Sequence, residues 1–199
     1  MSNLKIGIVL LAAGASTRMG ESGPKQLLEY HGKTLLKHAG EIAAASVCRP
    51  LIAVTGFESD RTAVELADLP FQTIYNPDWP DGMGTSIREG LAAMLRHDEQ
   101  IDGAIIMLCD QPLLTTEILN DLVQTAADKK SEVVASTYGG AAGVPALFAR
   151  SLFDELLKLP PDHGARTLIK SHQDSASFIP FPGGETDIDT LQSYINLQK

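Results

Sequence analysis

The chain has 199 residues, 44% of them hydrophobic, with a formal net charge of −9 and two cysteines. That composition builds a substantial core and excludes a disordered chain, while the acidic balance and scattered Lys and Arg argue against nucleic acid as the main partner. No apolar run approaches the roughly 18 residues of a membrane helix, so no membrane partner is expected. Cys48 and Cys109 lie far apart and form neither a disulfide framework nor a zinc spacing, which suits a reduced cytoplasmic protein. Cys109 stands beside Asp110 and reads either as a small core residue or as a reactive thiol.

In chain order, residues 5–11 form an apolar, β-branched strand that runs into a loop of small residues. A helix is expected over 34–46, a strand over 51–54, a helix over 60–67 and a strand over 72–75. The Asn76-Pro77 turn comes next, then a helix over 85–96 in which Ser86 and Glu89 have capping-box spacing. Gly103–Leu108 is a second fully apolar strand. A helix over 116–127 and a strand over 132–136 follow. Residues 144–148 read as a strand, 151–157 and 165–171 as short helices, 178–179 and 185–188 as closing strands, and 190–197 as a final helix. Alternating strands and helices predict an α/β fold: a mostly parallel sheet covered on both faces. In such sheets ligands bind beyond the carboxyl ends of the strands, at 12–25, 55–58, 76–84 and 109–114.

The first loop, Ala12-Ala13-Gly14-Ala15-Ser16-Thr17-Arg18 through Pro24-Lys25, combines small residues, hydroxyls and two cations. Small residues let backbone N–H groups approach a polyanion, Arg18 offers a planar fork to phosphate oxygens, and Lys25 a mobile point charge. Two familiar phosphate motifs do not fit. Gly32-Lys33-Thr34 matches the end of a P-loop, but Leu27 stands where that motif needs glycine. No G-x-G-x-x-G follows the first strand either.

The stretch Leu11-Ala12-Ala13-Gly14-x-Ser16-x-Arg18-Met19-Gly20 followed by Pro24-Lys25 resembles the signature loop of the MobA-like nucleotidyltransferases. Further matches follow in order: Asn76-Pro77-Asp78-Trp79 with Gly82-Met83-Gly84-Thr85-Ser86, Asp110-Gln111-Pro112, Gly143-Val144-Pro145, Asp162-His163-Gly164-Ala165-Arg166, and Asp187-Ile188-Asp189-Thr190. Together they span nearly the whole chain. The resemblance implies one nucleotidyltransferase domain over 1–199, a three-layer Rossmann-like nucleotide-diphospho-sugar transferase fold with a mixed, mostly parallel sheet. It implies transfer of a nucleotidyl group from a nucleoside triphosphate to an acceptor phosphate, with loss of pyrophosphate.

On that resemblance Arg18, Lys25 and Asp110 are the catalytic candidates. Leu11, Ala12, Ala13, Gly14, Ala15, Ser16, Thr55, Asn76, Gly82 and Ser86 would bind nucleotide, and Gly143, Pro145, Asp162, Gly164 and Arg166 the acceptor. Asp110 and Asp187 would hold Mg²⁺ or Mn²⁺, Asp187 being preferred over Asp189, which equally suits a helix cap. Asp110 could itself be a cap, since Thr115 and Thr116 open a helix soon after. Trp79 could be a substrate platform or a cover for the loop. The nearest branch is the molybdenum cofactor cytidylyltransferases, whose acceptor is the phosphate of molybdopterin. CTP is preferred over GTP because Ala13 stands where guanylyltransferase relatives tend to carry glycine. A recipient molybdoenzyme or its maturation chaperone would then be a partner. A sugar-phosphate nucleotidyltransferase and a non-catalytic cofactor carrier are the competing readings; a glycosyltransferase with a D-x-D metal motif is disfavoured, because Asp187-Ile188-Asp189 lies near the C-terminus and Asp110 lacks a D-x-D partner.

Overall fold

A computed structural model describes residues 4–16, 23–186, 188 and 194–195. Strand β1 (Ile6–Ala12) is buried at every position, the pattern of a strand paired on both sides and covered on both faces. Its side chains alternate between two cores. Val9 and Leu11 pack with Ile87, Leu91 and Met94 of helix α3 (Met83–His97). Ile8 and Leu10 pack with Leu36 and Ala39 of α1 (Leu35–Ala45) and Leu119 and Leu122 of α4 (Thr116–Lys129). The period-2 geometry of one strand therefore divides the core into two layers.

The remaining strands are a short hairpin, β2 (Glu29–Tyr30) with β3 (Lys33–Thr34), and β4 (Leu51–Thr55), β5 (Phe71–Tyr75), β6 (Gly103–Leu108), β7 (Val133–Tyr138), β8 (Ala141–Ala149) and β9 (Ser177–Pro180). They give a seven-stranded sheet in the order β5-β4-β1-β6-β8-β7-β9. Strands β5, β4, β1 and β6 run parallel, while β8 is antiparallel to both β6 and β7. The helices α2 (Ser59–Glu65), α5 (Phe153–Leu157) and α6 (Ala165–Ser171) complete the covering layers. The fold is thus the mixed three-layer α/β architecture read from the sequence.

The chain leaves β1 toward β4 and β5 on one side, then returns to build β6 on the other side of β1. A crevice opens at that reversal, outside the carboxyl ends of β1 and β6. The loop after Ala12 and the turn after Leu108 form its rim.

Two local expectations change, and the rejected P-loop match proves to be a hairpin. Ser86 does not cap α3. The helix begins at Met83 with Gly82 at its N-cap (φ 131°, a value that favours glycine), and Ser86 sits buried inside the first turns. Glu185, Thr186 and Ile188 are not in a strand; Thr186 N–H closes a turn on the Gly183 carbonyl at 2.9 Å. Gly32-Lys33-Thr34 belongs to the β2–β3 hairpin, whose turn uses the left-handed residues His31 and Gly32. Of the helix expected over 190–197, Tyr194 and Ile195 are helical and the rest lies outside the described residues.

Gly90 shows how tightly α3 is pressed on the sheet. A Cβ there would stand 2.3 Å from Val9 Cγ1 and 2.9 Å from Val54 Cγ2. Gly90→Ala is therefore expected to destabilise the protein by about 1–3 kcal/mol in urea unfolding, although alanine is the better helix former by about 1 kcal/mol.

Candidate functional site

Among the described residues, one buried side chain holds the loop after β1. Gln26, 2% exposed, donates through Nε2 to the carbonyls of Ala12 (3.3 Å) and Gly14 (3.1 Å). Its Oε1 accepts from the Ser16 hydroxyl at 3.4 Å, and Ser16 Oγ accepts from the Lys25 N–H at 3.0 Å. These bonds clip the two described ends of the loop together. A Cβ on Gly14 would meet no atom within 4 Å, so the glycine leaves open space above the backbone.

The Lys25 ammonium donates to Asp110 Oδ2, forming an ion pair between the loop and the end of β6. Asp110 is 5% exposed, and its Oδ1 is buried with no hydrogen-bond partner among the described residues. The Asp110 carbonyl accepts the Ile188 N–H at 3.2 Å, which brings the middle of Asp187-Ile188-Asp189 beside it. Asp110 does not cap α4, whose N-cap is Thr115. Burial, followed by the neighbouring Asp110 carboxylate, pushes the Cys109 thiol up to about 12, only partly offset by Lys25. Cys109 is therefore a core residue at neutral pH.

Residues 11–16, Lys25, Gln26, Trp79, Gly82, Met83, Ser86, Leu108, Cys109 and Asp110 line one cleft of about 400 Å³. Sequence reasoning drew Leu11, Ala12, Ala13, Gly14, Ala15, Ser16, Lys25, Gly82, Ser86 and Asp110 to this site, and the fold gathers all of them. Trp79 lines the cleft and covers the 56–57 segment, standing 2.5 Å from where a Cβ of Gly56 would be and edge-on to Phe57 at 5.8 Å.

Thr55 and Asn76 do not line the cleft. Both are fully buried. Thr55 Oγ1 pairs with the Ser59 hydroxyl at 2.7 Å and lies 3.2 Å from the Ile74 carbonyl. Asn76 Nδ2 donates to Thr85 (2.8 Å) and Ser86 (2.9 Å), and its Oδ1 accepts from Asp78 N–H (2.9 Å). With its amide committed to protein partners, Asn76 braces the 76–86 segment instead of reading a base. Arg18, Asp187 and Asp189 lie outside the described residues.

The acceptor-side candidates form a neighbouring patch. Gly84 N–H donates to the Pro161 carbonyl at 2.9 Å, and a Cβ on Gly82 would stand 2.3 Å from that oxygen. The loop carrying Asp162 and Gly164 thus rests directly on the start of α3, and a Cβ on Gly164 would lie 3.1 Å from Met83 Sδ. Asp162 and Arg166 are exposed. Pro145 is buried after a cis peptide bond, and its carbonyl accepts the Ser136 hydroxyl at 2.7 Å. Gly143 is buried against Tyr138 and Arg166.

Gln26, Gln111 and Tyr138 were not singled out from the sequence. Gln111, 5% exposed, donates to the carbonyls of Val144 (3.0 Å) and Gly184 (3.1 Å), stapling the Asp110 turn to β8 and to the 181–184 turn. No periodicity marks such residues; only Gln111 carried a signal, its place directly after the metal candidate.

A loop of small residues meeting a buried carboxylate at the switch point of a mixed sheet marks the ligand crevice of a nucleotide-handling α/β protein. The comparisons agree. The model of the MobA-like NTP transferase domain matches residues 8–176, and the chain belongs to that family. It is 30% identical to the purine catabolism protein PucB of Bacillus subtilis over 94% of this chain and 92% of that protein. It is 35% identical to nicotine blue oxidoreductase of Paenarthrobacter nicotinovorans over 58% of this chain, but spans only 54% of that protein. Among solved structures, Rv0371c of Mycobacterium tuberculosis H37Rv superposes with a TM-score of 0.83 at 27% identity, covering 100% of both chains. A second structure of Rv0371c, a complex with manganese, gives a TM-score of 0.77 at 27% identity over 97% of both.

The Lys25–Asp110 pair is a structural element in its own right. Lys25→Met leaves a buried carboxylate without its cation and is expected to lower stability by about 3 kcal/mol in urea unfolding. The double variant Lys25→Met/Asp110→Leu is expected to lose less than the sum of the two single variants.

Proposed function

We propose that the protein transfers a nucleotidyl group from a nucleoside triphosphate, CTP by preference, to the phosphate of a molybdopterin-type acceptor, in a divalent-metal-dependent reaction. One observation carries this reading: a nearly buried carboxylate at the end of β6, one oxygen on Lys25 and the other without a partner among the described residues, beside the loop after β1 in one cleft. An orphaned buried carboxylate oxygen fits a hard divalent cation, which takes oxygen ligands. Asp110 would hold that cation, with Asp187 as the second carboxylate. The cation supplies charge neutralisation at phosphate oxygens. That Rv0371c, a structure of the same fold, was solved in complex with manganese supports a divalent-cation site here.

The chain's own residues supply the rest. The open backbone of residues 13–16 receives the polyphosphate, and Gln26 fixes its shape. Lys25, together with Arg18, neutralises charge on the α-phosphate and on the departing pyrophosphate. An acceptor phosphate oxygen attacks the α-phosphorus, and the bond to the β-phosphate breaks. A phosphate monoester is largely dianionic near neutral pH, with a second pKa of about 6, so no strong general base is needed. Catalysis then consists of positioning and charge neutralisation. The Ala13 methyl takes space that glycine would leave, which favours a pyrimidine over a larger purine. The segment 162–166, packed on the start of α3, faces the acceptor. Residues 1–199 act as one domain. The two free, buried cysteines suit a reducing cytoplasmic setting.

The test is pyrophosphate release from Mg²⁺-CTP in the presence of molybdopterin, with Mg²⁺-GTP and a sugar 1-phosphate as the competing substrates. Molybdopterin with CTP is expected to give the highest rate. Lys25→Ala and Asp110→Ala are each expected to cut turnover by about 100-fold or more, as loss of one electrostatic group does. Near-normal rates in either variant would remove that residue from the mechanism. Tight molybdopterin binding without any pyrophosphate release would make the protein a carrier.

A further inference from the structure

The Val144 carbonyl accepts two side-chain hydrogen bonds from two separate elements. Gln111 Nε2 reaches it at 3.0 Å from the turn after β6, and the Tyr138 hydroxyl reaches it at 3.0 Å from the end of β7. The Tyr138 hydroxyl in turn accepts from Arg166 Nη2 at 3.3 Å, and the guanidinium carbon lies 5.9 Å from the centroid of the Tyr138 ring. A continuous polar path therefore runs from the Asp110-Gln111 turn to an exposed arginine at the start of α6.

The geometry of this path is built and not incidental. A Cβ on Gly143 would stand 2.2 Å from the Tyr138 hydroxyl and 3.2 Å from Arg166 Nε, so the pair fits only because that residue is glycine. The Tyr138 ring is pinned edge-on against Phe181, with centroids 5.7 Å apart. Its single hydroxyl proton is committed to Val144, so a lone pair is left for the guanidinium. An exposed arginine ordinarily samples many rotamers. Here one N–H is anchored and the ring supports the guanidinium, leaving the other donors for a planar, two-point grip on a phosphate.

We propose that Tyr138 is a positioning residue for the acceptor. It holds the Arg166 guanidinium in place to receive an acceptor phosphomonoester, and the shared Val144 carbonyl ties that anion seat to the turn that carries Asp110. This rests on the reading above, in which the 162–166 segment faces the acceptor.

The experiment is steady-state pyrophosphate release at saturating Mg²⁺-CTP with molybdopterin varied. Tyr138→Phe keeps the ring and its contact with Phe181 and removes only the hydroxyl. It is expected to raise the KM for molybdopterin about tenfold, the equivalent of one hydrogen bond to a charged group, with kcat and the KM for CTP within about twofold of wild type. Arg166→Ala is expected to raise the same KM further, and Tyr138→Phe is expected to add nothing in the Arg166→Ala background. Arg166→Lys keeps the charge and loses the planar fork. As an exposed substitution that spares folding, it is the second variant, with an expected rise of about tenfold. A wild-type KM in Tyr138→Phe or Arg166→Lys while Arg166→Ala is impaired overturns this inference alone. So does an effect of Tyr138→Phe that persists in full without Arg166. A wild-type KM in Arg166→Ala overturns the acceptor-side reading and this inference with it.

Discussion

A carboxylate that is 5% exposed at the end of an apolar strand is costly unless positive charge stands against it. Asp110 is in that position. Lys25 meets the need in the structure, reaching from the loop after β1 to the end of β6. The pair spans the crevice between the two central strands and sets the distance across it. Much of the surrounding geometry follows from this constraint. Gln26 clips the loop so that Lys25 starts from a fixed place, and Gln111 holds the turn that carries the carboxylate. A buried ion pair is weak support for stability as such, and a purely structural need would be met as well by packed apolar residues. Its location at the sheet's switch point, with one carboxylate oxygen unpartnered among the described residues, is what gives it chemical meaning.

The fold places two polar surfaces side by side. The cleft over β1 and β6 is one. The patch of Gly143, Tyr138 and Arg166 is the other. They meet where the 160–164 loop lies on the start of α3, and contact there is close enough that Gly82 and Gly84 have no room for a side chain: a Cβ on Gly84 would stand 2.1 Å from the Pro160 carbonyl. Direct backbone packing keeps the two surfaces in register without a mobile linker. Family membership does not by itself fix the reaction performed across them. Relatives carry names as different as nicotine blue oxidoreductase and purine catabolism protein, and function on a shared fold is decided by the residues of the site.

The sequence reading located most strands and helices to within a few residues. It erred where the local signal pointed the wrong way. Ser86 and Glu89 have the spacing of a capping box, but the packing of Gly82 against Pro161 starts α3 earlier and draws Ser86 into the interior. Residues 185–188 read as a closing strand, yet Glu185 and Thr186 belong to the turn closed on Gly183. Asn76 has the chemistry of a base reader, and only its burial against Thr85 and Ser86 reveals a brace.

By itself, the sequence determined the alternation of strands and helices, the two central apolar strands, and the clustering of glycines, cations and Asp110 just beyond strand ends. Those features depend on periodicity and on position relative to an element's terminus, both of which are local. Tertiary structure alone decided that Lys25 meets Asp110, 85 residues away, and that Gln111 and Tyr138 converge on one carbonyl of β8. It also decided which polar residues face the cleft and which are consumed inside. Hydrogen-bond partners that lie far apart in the chain leave no period to read, so only the folded sheet brings them together.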